Sequence, residues 1–334
     1  MMAASVVICA HTLDRWNELT RAVHSVRNQT RAAREIVVVV DNNDALRERA
    51  ARELCGVTVL ANAKESGLSG GRMTGAEWVT APVIAFLDDD AVADPDWLEE
   101  LLEAYADPAV LGAGGPVEPL WQAPPPSWFP DEFRWVVGCT YTGMQVRDGR
   151  IRNPIGANMS VRADVLRRTG GFTSQLGRRK LGFSVSGRGR IGGKAESCEE
   201  TEFCIRAARL HPGGYWAYRP GACVHHAVPA QRMTWKYFVH RCLVEGSAKA
   251  VLTDLAGSKE GLRAEGYYVR EVLPRAVVSN LRAAMDGKIS DGQRAGAIIA
   301  GLAITAFAYA AARLDGAADA FSRQLRPRVR VWRT

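Results

Sequence analysis

Three consecutive aspartates, Asp88, Asp89 and Asp90, follow the apolar stretch Val83–Leu87. Alternate side chains of an extended segment share one face, so Asp88 and Asp90 are expected to point to the same side. Two carboxylates on one side are hard oxygen ligands of the kind that Mg²⁺ and Mn²⁺ prefer. The alternative is a solvated loop, but three adjacent negative charges repel one another unless a cation neutralises them. The spacing therefore favours a divalent metal site.

Glu199, Glu200 and Glu202 form a second acidic cluster, on one turn of a predicted helix that begins near Ser197. A carboxylate within hydrogen-bond reach of a hydroxyl can act as a general base. A structural explanation competes: Ser197 and Glu200 fit a capping box, and acidic residues stabilise the start of a helix. Capping explains one or two carboxylates better than three, and the residues alone leave both interpretations open.

Other polar residues lie where they could contact a nucleotide. Asp41 follows the apolar run Val37–Val40 and could accept hydrogen bonds from a base or a ribose, although Asx-rich turns are common after strands. In Gly70-Gly71-Arg72 the backbone could approach a diphosphate while Arg72 donates to it. The same glycines could equally form an ordinary entry to a helix.

The pair His225-His226 ends a predicted strand, Tyr215–Val224. One imidazole could complete the metal site begun by Asp90, although a structural histidine pair is the more frequent case. Adjacent residues of a strand face opposite ways, so at most one of the two is expected to point inward.

Two further features could serve an acceptor or simply cover the protein. A basic stretch could clamp a diphosphate or a charged acceptor, or be solvated: Arg178, Arg179, Lys180, Arg188 and Arg190. An aromatic group could form a wall for a sugar, or pack as the cover of a loop: Trp121, Trp128, Phe129 and Trp135.

Strands and helices alternate over the first quarter of the chain. Strands are predicted at Ser5–Ala10, Glu35–Val40, Gly56–Ala61 and Pro82–Leu87, with helices at Glu18–Gln29, Leu46–Leu54 and Met73–Val79 between them. Such alternation predicts a mainly parallel sheet with helices on both faces. Ligands bind such sheets at the carboxyl ends of the strands, where Asp41 and Asp88–Asp90 both fall.

Later elements are predicted from local signals. Asp94 is expected to cap a helix with Pro95 in its first turn. Gly112–Pro130 has the composition of an irregular loop, and Ala163–Thr169 that of a short helix ended by Gly170.

Composition limits the class of protein. The chain has 334 residues, of which 47% are hydrophobic and 24% charged, which excludes a disordered, fibrous or disulfide-scaffold protein. The net charge of +7 favours anionic partners, but no nucleic-acid-binding motif is present. Seven scattered cysteines without a CxxC pair indicate reduced thiols, and the first apolar run is too short for a signal peptide. We therefore expect a cytoplasmic protein.

The C-terminal part changes character. Ala295–Ala312 contains no charged residue, and the chain beyond it carries Arg323, Arg326, Arg328, Arg330 and Arg333. About 18 uncharged residues is the lower limit for a membrane span, and this run is rich in Ala and Gly. We expect a buried or interfacial helix rather than a span, with a basic tail suited to the anionic inner face of the cell membrane.

Taken in order, these segments resemble the motifs of a family 2 glycosyltransferase of the GT-A fold. The resemblance runs from about Ser5 to Lys249 and rests on the segments SVVICAHTLDR, EIVVVVDNND, SGLSGGRMTGA, VIAFLDDDAVADPDWL, NPIGANMSVRADVLRRTGGF, CEETEFCIRAARL and GACVHHAVPAQRMTWKYF. It implies a mixed, mainly parallel α/β sheet flanked by helices, followed by a C-terminal helical extension. The implied division is a nucleotide-sugar-binding half at 1–110, an acceptor-binding and catalytic half at 111–250, and an extension at 251–334 with the basic tail.

The resemblance also implies an inverting transfer from a nucleotide-diphosphate sugar, UDP-linked by preference, to a hydroxyl of a glycan, lipid-linked or small-molecule acceptor. It assigns Asp90 and His226 to a Mg²⁺ or Mn²⁺ ion, and Glu200, with Glu199 beside it, to the catalytic base. The implied donor-binding residues are Thr12, Asp41, Arg72, Asp88, Asp89 and Asn158. A processive QxxRW motif is absent at Gln231–Trp235, so one sugar per turnover is expected.

Two alternatives have different chemistry. A sugar nucleotidylyltransferase would share the layered fold and the metal, but His11–Asn17 lacks the glycine-rich signature expected of it. A catalytically silent nucleotide-sugar-binding protein at the membrane would keep the donor pocket without turnover, and the intact acidic clusters argue against it.

Overall fold

The computed structural model describes residues 2–144, 146, 149–173, 198–257 and 261–324, without the side chains of 263, 264 and 316–324. Among these residues an eight-stranded sheet has the order β3-β2-β1-β4-β9-β6-β10-β8. Its strands are β1 (Ala4–Ala10), β2 (Glu35–Val40), β3 (Thr58–Ala61), β4 (Val83–Asp88), β6 (Val110–Gly114), β8 (Arg150–Ile151), β9 (Asn158–Arg162) and β10 (Tyr215–Tyr218). A smaller sheet has the order β5-β11-β7, with β5 (Ala91–Ala93), β7 (Val117–Trp121) and β11 (Val224–Val228).

The first four strands of the large sheet are parallel, as the alternation predicts. Between them lie α1 (Trp16–Arg27), α2 (Asp44–Glu53) and α3 (Leu68–Trp78). β9 runs antiparallel to both β4 and β6, and its hydrogen bonds join the first four strands to the rest of the sheet. The sheet therefore takes strands from both sides of residue 110, and the division 1–110, 111–250 and 251–334 stays a prediction.

Alternate side chains of the buried strands fill two cores, one on each face of the sheet. Val6 and Ile8 of β1 pack with the side of α1 that carries Leu19. Val7 of the same strand belongs to the opposite core, with Ala76 of α3. This period of two explains why the strands read as continuous apolar runs in the sequence.

Helices complete the second half of the chain. They are α4 (Trp97–Glu103), α5 (Ala163–Thr169), α6 (Glu199–Leu210), α7 (Trp235–Ala256), α8 (Arg263–Tyr267), α9 (Leu273–Met285) and α10 (Ile289–Gln324). A π-helical turn, Tyr268–Val272, joins α8 to α9. α7 and α10 pack closely because Gly246 has no side chain: a Cβ there would lie 2.2 Å from the carbonyl oxygen of Thr305.

Several local predictions are wrong, and long-range pairing is the reason. Gly112–Pro130 is not wholly irregular, since it contains the end of β6 and all of β7. The strand predicted at Tyr215–Val224 is two strands, β10 and β11, and His225-His226 lies inside β11 rather than after it. β7 and β11 pair with each other, so neither is specified by its own residues alone.

The aromatic residues between β7 and α7 pack together. The ring of Trp128 lies 5.6 Å from that of Phe238, and Phe129 contacts both Trp121 and Trp128. Phe129 and Phe238 are buried. This packing supports the role of cover rather than that of an exposed wall for a sugar.

Candidate active site

Asp88 and Asp90 meet His226 where β4 ends beside β11. One ligand atom from each of the three residues lies within 4.8 Å of the other two. His226 Nε2 is 3.1 Å from Asp90 Oδ1, and both side chains are 6% exposed. The alternation of β11 turns His226 inward and leaves the side chain of His225 41% exposed, so the expectation that only one imidazole points inward is confirmed.

Two arginines that the sequence analysis did not single out neutralise this cluster. Arg15 Nη1 lies 3.0 Å from Asp89 and 3.1 Å from Asp90. Arg232 lies 3.6 Å from Asp90. Arg15 follows β1, whose carboxyl end lies beside that of β4, and this shared edge is the signal that could have indicated it. Thr12 accepts a hydrogen bond from the Asp14 amide and so caps the short turn that carries Arg15.

The charges of the cluster shift its pKa values in opposite directions. Burial raises the pKa of Asp90, but the hydrogen bond and charge of His226, with Arg15 and Arg232, outweigh burial and lower it to about 2. Burial and the charge of Asp90 raise the pKa of Asp89 to about 7, against the opposing effect of Arg15. Burial lowers the pKa of His226, but the hydrogen bonds to Asp90 and Cys139 raise it to about 10. Arg15, His226 and Arg232 thus place positive charge around the buried carboxylate of Asp90.

The residues present fit a divalent cation. Two carboxylates and the imidazole of His226, which would give up its proton on binding a metal, offer oxygen and nitrogen ligands within one small volume that suits Mn²⁺ and Mg²⁺. Among the described residues, Asp89 Oδ2 is buried without a hydrogen-bond partner, and a cation or a donor group would satisfy it. Asp88, Asp90 and His226 could therefore hold the metal.

Arg72 links the two acidic clusters. Its guanidinium is buried and lies 3.4 Å from Asp88 and 3.4 Å from Glu199. It donates a 3.0 Å hydrogen bond to the carbonyl of Gly156, where a Cβ would lie only 2.7 Å from Nη2. Gly70 and Gly71 lie within α3 rather than in a turn before it, and α3 carries Arg72 into the site.

Glu199 and Glu200 begin α6. The residue before the helix is Cys198, with φ 72°, and its side chain does not cap the helix. Glu200 is the second residue of the helix rather than the third, so the start of the helix does not fit the capping-box interpretation; Ser197 lies outside the described residues. Burial and the negative charge of Glu199 raise the pKa of Glu200 to about 8, against the opposing effect of Arg72.

A buried ionic network supports the start of α6. Arg152 pairs with Glu265 at 2.9 Å, and Lys249 pairs with the same carboxylate at 2.6 Å. Lys249 also lies 3.4 Å from Glu245, whose side chain the Cys198 thiol contacts. Arg152 follows β8, Glu245 and Lys249 lie on α7, and Glu265 lies on α8. No local sequence signal indicates that these residues form a group.

Two predicted donor-binding residues have protein partners. The Asp41 carboxylate accepts hydrogen bonds from the side chains of Asn62, at 2.7 Å, and Ser66, at 2.9 Å. Asn158 is fully buried; it accepts a 2.8 Å hydrogen bond from Trp97 and donates to the carbonyls of Pro116 and Ala222. The side-chain amide of Asn158 is therefore hydrogen-bonded within the protein, and these bonds connect β9 to the segments around it.

Asp94 does not cap α4. The helix begins at Trp97, and the Asp94 carboxylate instead lies 2.9 Å from His225 Nε2 on the outer side of β11. Asp94 cannot cap the helix because it is held beside β11. Its backbone amide donates a hydrogen bond to the carbonyl of Cys223. The basic stretch from Arg178 to Arg190 lies outside the described residues.

The sequence model "Glycosyl transferase family 2" matches residues 5–170. The glucosyl-dolichyl phosphate glucuronosyltransferase of Haloferax volcanii is 33% identical over 255 residues, which cover 75% of this chain and 77% of that protein. The chain belongs to the family 2 glycosyltransferases. It is accordingly a glycosyltransferase enzyme.

Two further comparisons, one of sequence and one of structure, agree with this finding. The succinoglycan biosynthesis protein ExoM of Rhizobium meliloti is 28% identical over 263 residues, 77% of this glycosyltransferase and 76% of that protein. The solved mannosyltransferase PcManGT of Pyrobaculum calidifontis, in complex with GDP-Man and Mn²⁺, matches with a TM-score of 0.57 and 16% identity, over 90% of this chain and 86% of that one. This structural likeness confirms the predicted GT-A fold.

Proposed function

We propose that this family 2 glycosyltransferase moves a single sugar from a UDP-linked donor to a hydroxyl of a lipid-linked or glycan acceptor, with inversion at the anomeric carbon. The observation that carries the proposal is the position of Arg72 between Asp88 of the metal cluster and Glu199, beside Glu200. Arg72 therefore lies between the proposed binding site of the donor diphosphate and the proposed catalytic base. The names of the relatives, one acting on glucosyl-dolichyl phosphate and one in succinoglycan biosynthesis, support this acceptor class.

Glu200 is the proposed general base. Its carboxylate takes the proton of the acceptor hydroxyl while the acceptor oxygen forms a bond to the anomeric carbon. The bond from that carbon to the diphosphate oxygen breaks, and its electron pair leaves with the diphosphate. A pKa raised by burial suits a base that works near neutral pH, and Glu199 serves as its anionic neighbour.

The rest of the site binds and orients the donor. Asp88, Asp90 and His226 would hold Mg²⁺ or Mn²⁺, which when bound supplies Lewis-acid stabilisation of the departing diphosphate. PcManGT carries Mn²⁺ with its GDP-Man, which supports a metal at this fold position. Arg72 and Arg15 are the proposed sources of positive charge beside the donor phosphates. Asp41, Asp89 and Thr12 are the proposed contacts of the nucleoside.

We further propose that the enzyme works in the cytoplasm at the inner face of an anionic membrane. The stretch Ile289–Asp315 of α10 is long and apolar enough to cross a bilayer, and only 28% of its most apolar window is buried. Its other side packs along α7. Flotation should recover the full chain with vesicles containing phosphatidylglycerol and not with phosphatidylcholine alone; equal recovery with both would contradict a charge-dependent contact.

Calorimetric titration with UDP, GDP and dTDP sugars, with and without Mn²⁺, tests the donor. The proposal expects Mn²⁺-dependent binding of a UDP sugar. Binding of GDP sugars alone would overturn the base preference. Binding without any transfer to a lipid-linked glucose would favour the silent binding protein, and release of diphosphate from a nucleoside triphosphate would favour the nucleotidylyltransferase.

A further inference from the structure

Helix α9 carries an exposed apolar stripe. Pro274, Val278, Leu281 and Met285 recur at spacings of four, three and four residues, which places them on one face of the helix. Val278 and Leu281 are each 46% exposed, and Met285 is 80% exposed. Arg275 and Arg282 lie next to the stripe along the helix. Apolar side chains bordered by arginines are typical of a helix that lies on a lipid surface.

The adjoining face of α9 lines a cavity of about 680 Å³, across from the segment Thr142–Met144. This volume is within the range of small-molecule sites. Its lining combines polar and apolar groups: Glu132, Thr142, Arg275, Ser279, Asn280, Met144, Tyr267, Val272 and Ala276. A second cavity, of about 410 Å³, is lined by Pro274, Val278 and Arg282 and shares Arg275 and Ser279 with the first. Arg275 therefore lies between the apolar stripe and the larger cavity.

The larger cavity is close to the metal cluster. Cys139 Sγ lies 3.9 Å from His226 Nδ1, and Thr142, three residues further along the chain, lines the cavity. Three residues span at most about 11 Å. One short segment, Cys139–Thr142, therefore connects the residue that contacts His226 to the wall of the cavity.

Arg275 can receive a phosphate. Its side chain is 75% exposed and pairs with Glu271 at 2.7 Å on the same helix. Such exposed pairs contribute little, so a phosphate group can displace the carboxylate. The guanidinium can bind a phosphate through two parallel hydrogen bonds.

We propose that the larger cavity is the acceptor subsite and that its ligand is a lipid phosphate carrying a sugar. The lipid chain lies along the stripe of Val278, Leu281 and Met285, the phosphate binds Arg275, and the sugar occupies the cavity. This assignment rests on the proposed function, because it names the acceptor of that same transfer.

Calorimetry of the full chain with farnesyl phosphate tests the subsite. Wild-type protein should bind farnesyl phosphate at least about 10-fold more tightly than inorganic phosphate or farnesol, since only farnesyl phosphate engages both Arg275 and the stripe. Arg275→Gln should weaken that binding about 10-fold or more, the lower end for loss of a charge-assisted hydrogen bond. Ser279→Trp should fill the cavity and abolish binding of a farnesyl-phosphate-linked glucose.

Arg270→Gln is the matched control, because it removes the same charge from an exposed position that lines neither cavity. It should leave farnesyl phosphate binding unchanged. Unchanged binding in both Arg275→Gln and Ser279→Trp would overturn the subsite, as would equal binding of inorganic phosphate. Mn²⁺-dependent donor binding is measured on the same samples: its presence with a failed subsite overturns only this inference, whereas its absence from the wild type contradicts the proposed function.

Discussion

The acidic cluster at the end of β4 and the one at the start of α6 lie on either side of Arg72, and their surroundings differ. Asp90 faces Arg15, His226 and Arg232. Glu200 has the negative charge of Glu199 beside it, and Arg72 is shared with Asp88. The surroundings lower the pKa of Asp90 to about 2 and raise that of Glu200 to about 8.

The difference indicates how one site can divide two tasks among carboxylates. A carboxylate surrounded by cations stays ionised, which suits a ligand of a metal ion. A carboxylate beside another carboxylate in a buried place gains affinity for a proton, which suits acid–base chemistry. The two clusters need opposite environments, and the fold supplies them from different strands and helices.

The largest expected effect is that of Glu200→Gln. Sugar transfer should fall by at least about 100-fold, the low end of general-base contributions, while Mn²⁺-dependent donor binding stays near wild type. Steady-state transfer and calorimetry measure the two quantities. Glu199→Gln is the matched variant and should lower transfer less; a larger loss for Glu199→Gln would reverse the assignment of the base.

Substitution in the metal cluster should act on affinity. Asp90→Asn and His226→Ala should each weaken Mn²⁺-dependent donor binding at least about 10-fold, since even residues that only support a metal ligand cost this much. The measurement is titration of the donor at fixed Mn²⁺. Wild-type affinity in both variants would show that Asp90 and His226 do not bind the metal. The proposed difference in function between the two acidic clusters would then be wrong.

The pH dependence should follow Glu200. A base must be deprotonated to act, so a pKa raised to about 8 predicts that the transfer rate falls about tenfold per pH unit as the pH drops below that value. Because the charge of Glu199 helps to raise this pKa, Glu199→Gln should move the acid limb of the kcat profile to lower pH. If the acid limb does not move in Glu199→Gln, the group that titrates in the kcat profile is not Glu200.

The smallest effect is expected on the outer side of β11. His225→Ala should leave donor affinity within about twofold, because His225 pairs with Asp94 at the surface and such pairs contribute about 0–1 kcal/mol. Donor titration beside His226→Ala provides the contrast. A loss of the same size in both would mean that the two faces of the strand are not distinct in function.

The first part of the fold could be predicted from the sequence because its signals are local. The apolar runs that become β1, β2 and β4 each form a buried strand. Outside this first part, the short helix Ala163–Thr169 also has the predicted bounds, because Gly170 ends it locally. Parallel strands bring their carboxyl ends to one edge, so the aspartates after β4 could be placed near a ligand.

The second part could not be predicted in the same way. Val117 of β7 pairs with Val224 of β11, 107 residues further along the chain. Taken alone, the residues of both strands have the composition of a loop or of the end of a strand. The start of α6 depends on Cys198 in a left-handed conformation, which nothing in its neighbours indicates. Asp94 carries the signals of a cap and forms a pair with His225 instead.

The sequence by itself determined which chemical groups this glycosyltransferase has and at which strand ends they occur. The tertiary structure decided their partners: Arg72 between Asp88 and Glu199, and Arg15 beside Asp90. The physical reason is that a carboxylate's affinity for a metal or a proton depends on burial and on charges within a few ångströms. Those charges come from residues far apart in the chain, and only folding brings them together.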